Sequence, residues 1–119
     1  MRPYERFAAW KECHVLARRV YEATTSFPKH ELYGLTSQLR RAAFSAAANI
    51  VEGSSRRGSA EFRRFLDISL GSLSEVGYTL RFVREVELLA QPAWAELDRQ
   101  QQRAHYLTWK LYESIAKQR

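Results

Sequence analysis

Apolar residues recur at steps of three and four along the whole chain, and no segment alternates apolar with polar residues between turn signals. The spacing predicts helices and no strands. A first helix over residues 7–26 carries Cys13, Leu16, Val20 and Ala23 on one stripe, with Trp10, Ala17 and Tyr21 beside it. Phe27 and Pro28 interrupt it, because proline lacks the amide hydrogen and restricts the residue before it. A second helix is predicted over residues 35–52, stopping at Gly53 as the left-handed residue past its end. Beyond the loop GSSRRGS, Ser59 is the predicted cap of a third helix. Its seam Phe62, Leu66, Ser69, Leu73, Val76, Leu80 and Val83 alternates steps of four and three, the heptad spacing of helices packed at a shallow angle. A fourth helix begins near Pro92 and presents Trp94, Leu97, Ala104, Leu107, Leu111 and Ile115.

Two features widen the apolar surface beyond the needs of a small monomer. The run AAFSAAANIV over residues 42–51 has no charge, and a helix that is apolar all round is buried on more than one side. Its small side chains Ala42, Ala43, Ala46, Ala47 and Ala48 allow another helix to come close, so this segment is expected to serve both the bundle core and a subunit contact. The third helix carries a second stripe of Phe65, Ile68, Ser72, Glu75, Thr79, Phe82 and Val86, which again points to an oligomer. Four helices with short links make an all-α, antiparallel up-down four-helix bundle the expected fold, with residues 1–119 as one domain. A chain of 119 residues with 45% hydrophobic content fits one core and is too short for two. One cysteine excludes an internal disulfide framework, and no N-terminal apolar run resembles a signal or a membrane span. The expected setting is cytoplasmic, with no membrane partner.

Charge then narrows the chemistry. The formal net charge is +6, with a pI near 9.8, which favours anionic partners. Within residues 28–58, Lys29, Arg40, Arg41, Arg56 and Arg57 stand against Glu31 and Glu52, whereas residues 59–92 are slightly acidic. The pairs Arg40–Arg41, Arg56–Arg57 and Arg63–Arg64 are candidates for a ridge that grips phosphates, since a guanidinium offers a planar fork of donors. The alternative is that one arginine of each pair is paired internally and the other solvated. Glu52, in the last turn of its helix, faces the negative end of the macrodipole and calls for an arginine partner among Arg40, Arg41, Arg56 and Arg57. Asn49 and Ser69 fall on seams, where a polar group must find a hydrogen bond and tends to set register. Glu75, inside the second stripe, is expected in an interface or an ion pair. Tyr106, Trp109 and Tyr112 fall partly off the core face of the fourth helix, where subunit contacts compete with base stacking.

Other chemistries find little support. None of His14, His30 and His105 has a glutamate three residues before it, so the inward Glu-x-x-His pairs of di-iron bundles are missing. Cys13 and His14 point about 100° apart on a helix and have no second cluster to complete a zinc site. No serine sits in a nucleophile elbow and no glycine run forms a phosphate loop. The reading is of a non-enzymatic protein without metal or cofactor.

At these residues the chain resembles the bacterial four-helix bundle proteins first met as products of intervening sequences in large-subunit ribosomal RNA genes. The resemblance runs through FAAWKECHVLARRVYEAT, FPKHELYGLTSQLRRAAFSAAANIVEG and EFRRFLDISLGSLSEVGYTL, and is weakest in the fourth helix. Related proteins include the accessory variability determinants of diversity-generating retroelements, barrel-shaped homopentamers that bind nucleic acid and a reverse transcriptase. The resemblance implies a homopentamer here, no enzymatic activity, and a polar network of Arg40, Arg41, Asn49, Glu52 and Glu75. Val51 and Ala46 stand where the family often shows alanine and isoleucine.

Two functions compete on this basis. One is a homo-oligomer binding structured RNA or DNA through Arg56, Arg57, Arg63 and Arg64. The other is a protein-protein interaction scaffold with no nucleic-acid role, its partner a protein such as a reverse transcriptase.

Overall fold

A computed structural model describes residues 1–117. Among these residues there are four long helices and no strand: α1 (Ala8–Thr24), α2 (Ser37–Ser54), α3 (Ser59–Glu85) and α4 (Gln91–Ala116). A 3₁₀ turn, Pro3–Arg6, precedes α1, and the α1–α2 link carries short turns at Lys29–Glu31 and Leu32–Thr36. Cross-helix partners fix the directions. Gln38 meets Glu75, Ser45 meets Ser72 and Ser69 meets Ala46, so residue numbers fall along α3 as they rise along α2. Leu73 with Gln101 and Leu80 with Trp94 make α4 antiparallel to α3 in the same way. Each helix packs on its neighbours in sequence and α4 closes against α1, giving an up-down ring 47 × 24 × 23 Å across.

The stability of this ring comes from its axis. Leu16, Leu39, Ile50, Leu66, Leu73 and Leu80 are fully buried, each contributing roughly 1.5–3 kcal/mol. The surface ion pairs within single helices contribute about 0.3–0.5 kcal/mol apiece, so they cannot rival the core. Four alanines of α2 are nearly sealed, at 5% exposure for Ala42, 0% for Ala43 and Ala46, and 7% for Ala47. Their small size is used inside one chain. Ser69 reaches across from α3 and donates to the Ala46 carbonyl at 2.7 Å, a backbone approach that a larger side chain would block. The α3 seam is buried from Leu66 to Val83, with Phe62 half-buried at its start. The second α3 stripe divides: Phe65 and Thr79 are buried, whereas Ile68, Phe82 and Val86 remain exposed.

Two predicted terminators sit elsewhere. Gly53 lies inside α2 and is buried, and the glycine with positive φ among the described residues is Gly58 (φ 84°, ψ 154°). Gly58 also occupies the cap position assigned to Ser59, which becomes the first residue of α3. The cause is steric: that extended, positive-φ conformation is open to glycine and strained for other residues. Helix α2 begins at Ser37 because Gly34 (φ −109°, ψ −111°) breaks the helical path just before it.

The bundle also contains polar bonds that the apolar spacing did not reveal. Gln101 donates to the Leu73 carbonyl at 2.9 Å, and Gln100 donates to the carbonyl and carboxylate of Glu12, both at 2.9 Å. Thr108 lies 3.4 Å from the Cys13 sulfur while donating to the Ala104 carbonyl. Every buried side-chain nitrogen and oxygen among the described residues has a partner.

Candidate nucleic-acid interface

Antiparallel topology brings the start of α1, the end of α2, the start of α3 and the end of α4 to one pole. Three phenylalanines organise its surface. The rings of Phe7 and Phe62 meet edge to face at 5.6 Å. Phe62 and Phe65 both press on Gly53, where an added methyl would lie 2.9 Å from Phe62 Cδ1 and 2.8 Å from Phe65 Cβ. The bare backbone of α2 is what lets the start of α3 close over it.

Arginines lie on these rings. The guanidinium of Arg64 sits 4.5 Å from the centroid of Phe65 and that of Arg56 at 5.2 Å, while Arg6 covers Phe7 at 4.9 Å. A guanidinium held by its face keeps its N–H edge available to acceptors. Two carboxylates take part of that edge. Arg56 Nη2 contacts Glu52 Oε2 at 2.9 Å, so of the four arginines open to Glu52 it is Arg56 that pairs with it. Arg64 donates through Nε and Nη2 to the two oxygens of Glu61 at 3.2 and 3.3 Å. That hydrogen bond, together with the Arg64 charge, holds the Glu61 carboxyl below its ordinary pKa. Both pairs are solvent-exposed, so solvent screens them and each is open to exchange for a competing phosphate. Among the described residues, Arg57 and Arg63 form no ion pair.

The remaining predicted residues lie away from this corner. Arg40 donates to Thr24 Oγ1 at 2.8 Å and to the Tyr21 carbonyl at 3.3 Å, with its guanidinium over the Tyr21 ring at 4.5 Å. It therefore ties the end of α1 to α2. Arg41 is exposed, has no ion pair among the described residues, and lines an open groove of about 550 Å³ with Tyr33, Gln38, Ser45, Ser72 and Glu75. Glu75 accepts from Gln38 Nε2 at 3.2 Å, and Asn49 donates within α2 to the carbonyl and hydroxyl of Ser45. Arg41 and Glu75 thus share one groove, with Asn49 bonded to Ser45 on its lining, while Arg40 faces α1 and Glu52 pairs at the α2–α3 corner. Fourteen residues of helix, about 21 Å at 1.5 Å per residue, part Arg40 from Ser54, the last residue of α2 before Arg56, so the three arginine pairs do not form one ridge. Arg6 and the phenylalanine platform escaped the sequence reading, because Phe7 and Phe62 are distant in the chain and only folding joins them.

No group of three His, Cys, Asp or Glu among the described residues is placed to hold a metal ion. Among the same residues, no helix is long and apolar enough to cross a membrane. The sequence model of the 23S rRNA-intervening sequence proteins matches residues 5–115. The chain belongs to that family. Among solved structures, one similar to this member of the intervening sequence proteins is a protein of unknown function from the S23 ribosomal protein family of Bacteroides thetaiotaomicron. It has a TM-score of 0.79 and 18% identity, over 88% of this chain and 98% of that one. At that identity the likeness establishes the fold. No functionally curated protein matches the sequence.

Proposed function

We propose that this intervening sequence protein is a non-enzymatic, cytoplasmic homo-oligomer that binds structured RNA or DNA through Arg56, Arg57, Arg63 and Arg64. The observation carrying this reading is the α2–α3 corner. Among the described residues, two arginines there have no carboxylate partner, and two more lie on Phe65 in exposed pairs open to exchange for phosphate. Such contacts release condensed counterions, so affinity falls steeply with salt. Purified, nuclease-treated protein titrated with a pool of structured RNA and duplex DNA across a salt series tests it. Binding with a steep salt dependence is the expected result. Unchanged affinity after replacing all four arginines by serine, in protein that still assembles, rejects it.

The exposed aromatic and aliphatic side chains on the outer faces of α2 and α3 support self-association: Phe44 is 62% exposed, Tyr78 68%, Phe82 42% and Ile68 41%. A pentamer is the assembly proposed, and light scattering of the purified protein tests it. The same side chains favour the second reading, a scaffold for another protein. Recovery of a stoichiometric protein partner, with no binding to nucleic acid at low salt, is the result that selects it.

A further inference from the structure

The net charge of the protein is polarised along the long axis of the bundle. The Ser45–Ser72 and Leu73–Gln101 contacts mark its middle. On the side of the α2–α3 corner, the described residues 1–16, 45–72 and 102–117 hold ten Lys and Arg against six Asp and Glu. On the other side, residues 17–44 and 73–101 hold eight against seven. Most of the excess positive charge therefore gathers at one pole, and part of it comes from the N-terminal segment rather than from the corner.

The route by which that segment arrives is explicit. The turn Pro3–Arg6 packs against α2, Phe7 meets Phe62 edge to face, and Arg6 lies over the Phe7 ring. Phe62 immediately precedes Arg63 in α3. Arg2 and Arg6 are both exposed, and among the described residues neither enters an ion pair. Arg6 thus repeats at Phe7 what Arg56 and Arg64 do at Phe65, with no carboxylate clamp among the described residues.

We infer that Arg2 and Arg6 belong to the same anion-binding surface as Arg57 and Arg63, so that the whole pole, not the α2–α3 corner alone, grips the phosphodiester backbone of a nucleic acid. This rests on the nucleic-acid reading of the corner. The two chain segments meet where Phe7 contacts Phe62 and where the N-terminal turn packs on α2, which brings Arg6 to the same pole as Arg63. Contacts of this kind position the backbone without reading bases, so the two arginines add affinity for RNA and DNA of any sequence.

The experiment compares Arg2→Ser/Arg6→Ser with Lys29→Ser/Arg81→Ser, which removes equal charge at the opposite pole. Binding of a structured RNA and of a duplex DNA is measured across a salt series, with the thermal midpoint as a check on folding. For the first variant, the slope of log affinity against log salt is expected to fall by about one per arginine. For the second, it should stay at the wild-type value. Arg6→Lys, which keeps the charge, should retain most of the slope. Equal losses from both double variants mean that only net charge matters, and overturn the inference. An unaltered slope in Arg2→Ser/Arg6→Ser, with binding lost in the Arg56, Arg57, Arg63, Arg64 variant, overturns it while leaving the corner in place. No binding by the wild-type protein at low salt removes both.

Discussion

Gly53 of α2 lies so close beneath Phe65 of α3 that a methyl group on its α-carbon would stand 2.8 Å from the Phe65 Cβ. That atom is anchored to the α3 backbone and cannot swing away. Alanine is favoured over glycine in a helix by roughly 1 kcal/mol, whereas overpacking costs about 1–3 kcal/mol. Gly53→Ala should therefore lower stability by up to about 2 kcal/mol net, read as a lower urea midpoint at unchanged m-value. Gly77→Ala makes the control. Its methyl would meet the end of the Gln101 side chain at 3.0 Å, a group that can rotate, so its effect should be smaller. A stabilised Gly53→Ala protein would show that the α2–α3 approach is looser than this contact implies.

The division of α2 into an inner and an outer face yields a second expectation. Ala47 is 7% exposed and Phe44 62%. Ala47→Glu places an unpaired charge in the bundle core and should unfold the chain, because burying such a group costs several kcal/mol. Phe44→Glu should leave helicity and melting intact while reducing the assembled mass. Circular dichroism and light scattering separate the two effects. Wild-type melting and mass in Ala47→Glu would contradict its burial.

Glu52 and Arg56 form an exposed pair one helical turn apart, at 2.9 Å. Glu52→Gln should change stability by no more than about 0.5 kcal/mol and also removes a negative charge from beside the proposed phosphate surface. Nucleic-acid affinity should rise as a result, most visibly at low salt. A weaker complex would indicate that Glu52 orients Arg56 for binding rather than competing for it.

Cys13 is sealed in the core against Thr108. Burial pushes its thiol up from 9.0 to about 11, with the Thr108 hydrogen bond opposing the shift. The unfolded chain releases this proton at a lower pH than the folded one, so the native state has its full advantage below pH 9 and loses it as pH rises towards about 11. Thiol reagents at pH 8 should leave the native protein unmodified and label one group per chain in urea. The stability difference between wild type and Cys13→Ala should shrink between pH 9 and 11. Rapid labelling of native protein would place the sulfur nearer the surface.

How much was legible varied with the range of the interaction. Helix number, the α3 seam and the core face of α4 follow from periodicity, because a buried stripe repeats with the helical turn whichever neighbour covers it. The alanine run announced close packing, but not that α2 would use most of it on its own chain, since spacing does not say whose helix approaches. Gly53 read as a stop signal because glycines commonly end helices; only the position of Phe62 and Phe65 revealed a steric reason for it in mid-helix. Gln100, Gln101 and Thr108 carry no signal in the apolar spacing, and become interhelical bonds once Glu12, Leu73 and Cys13 face them.

The candidate surface divides the same way. Arg56, Arg57, Arg63 and Arg64 are neighbours in sequence and could be singled out as local pairs, because charge is a property of composition. Whether each is clamped, stacked or unpaired depends on side chains that folding delivers. The distance of Arg40 from Arg56 follows from the length of α2, and the closeness of Arg6 to this corner follows from the Phe7–Phe62 contact. Periodicity thus determined the helices and their buried faces, since these depend on local geometry and hydrophobicity. The tertiary structure alone decided which charges share a pole, because that depends on the antiparallel order in which four helix ends are brought together.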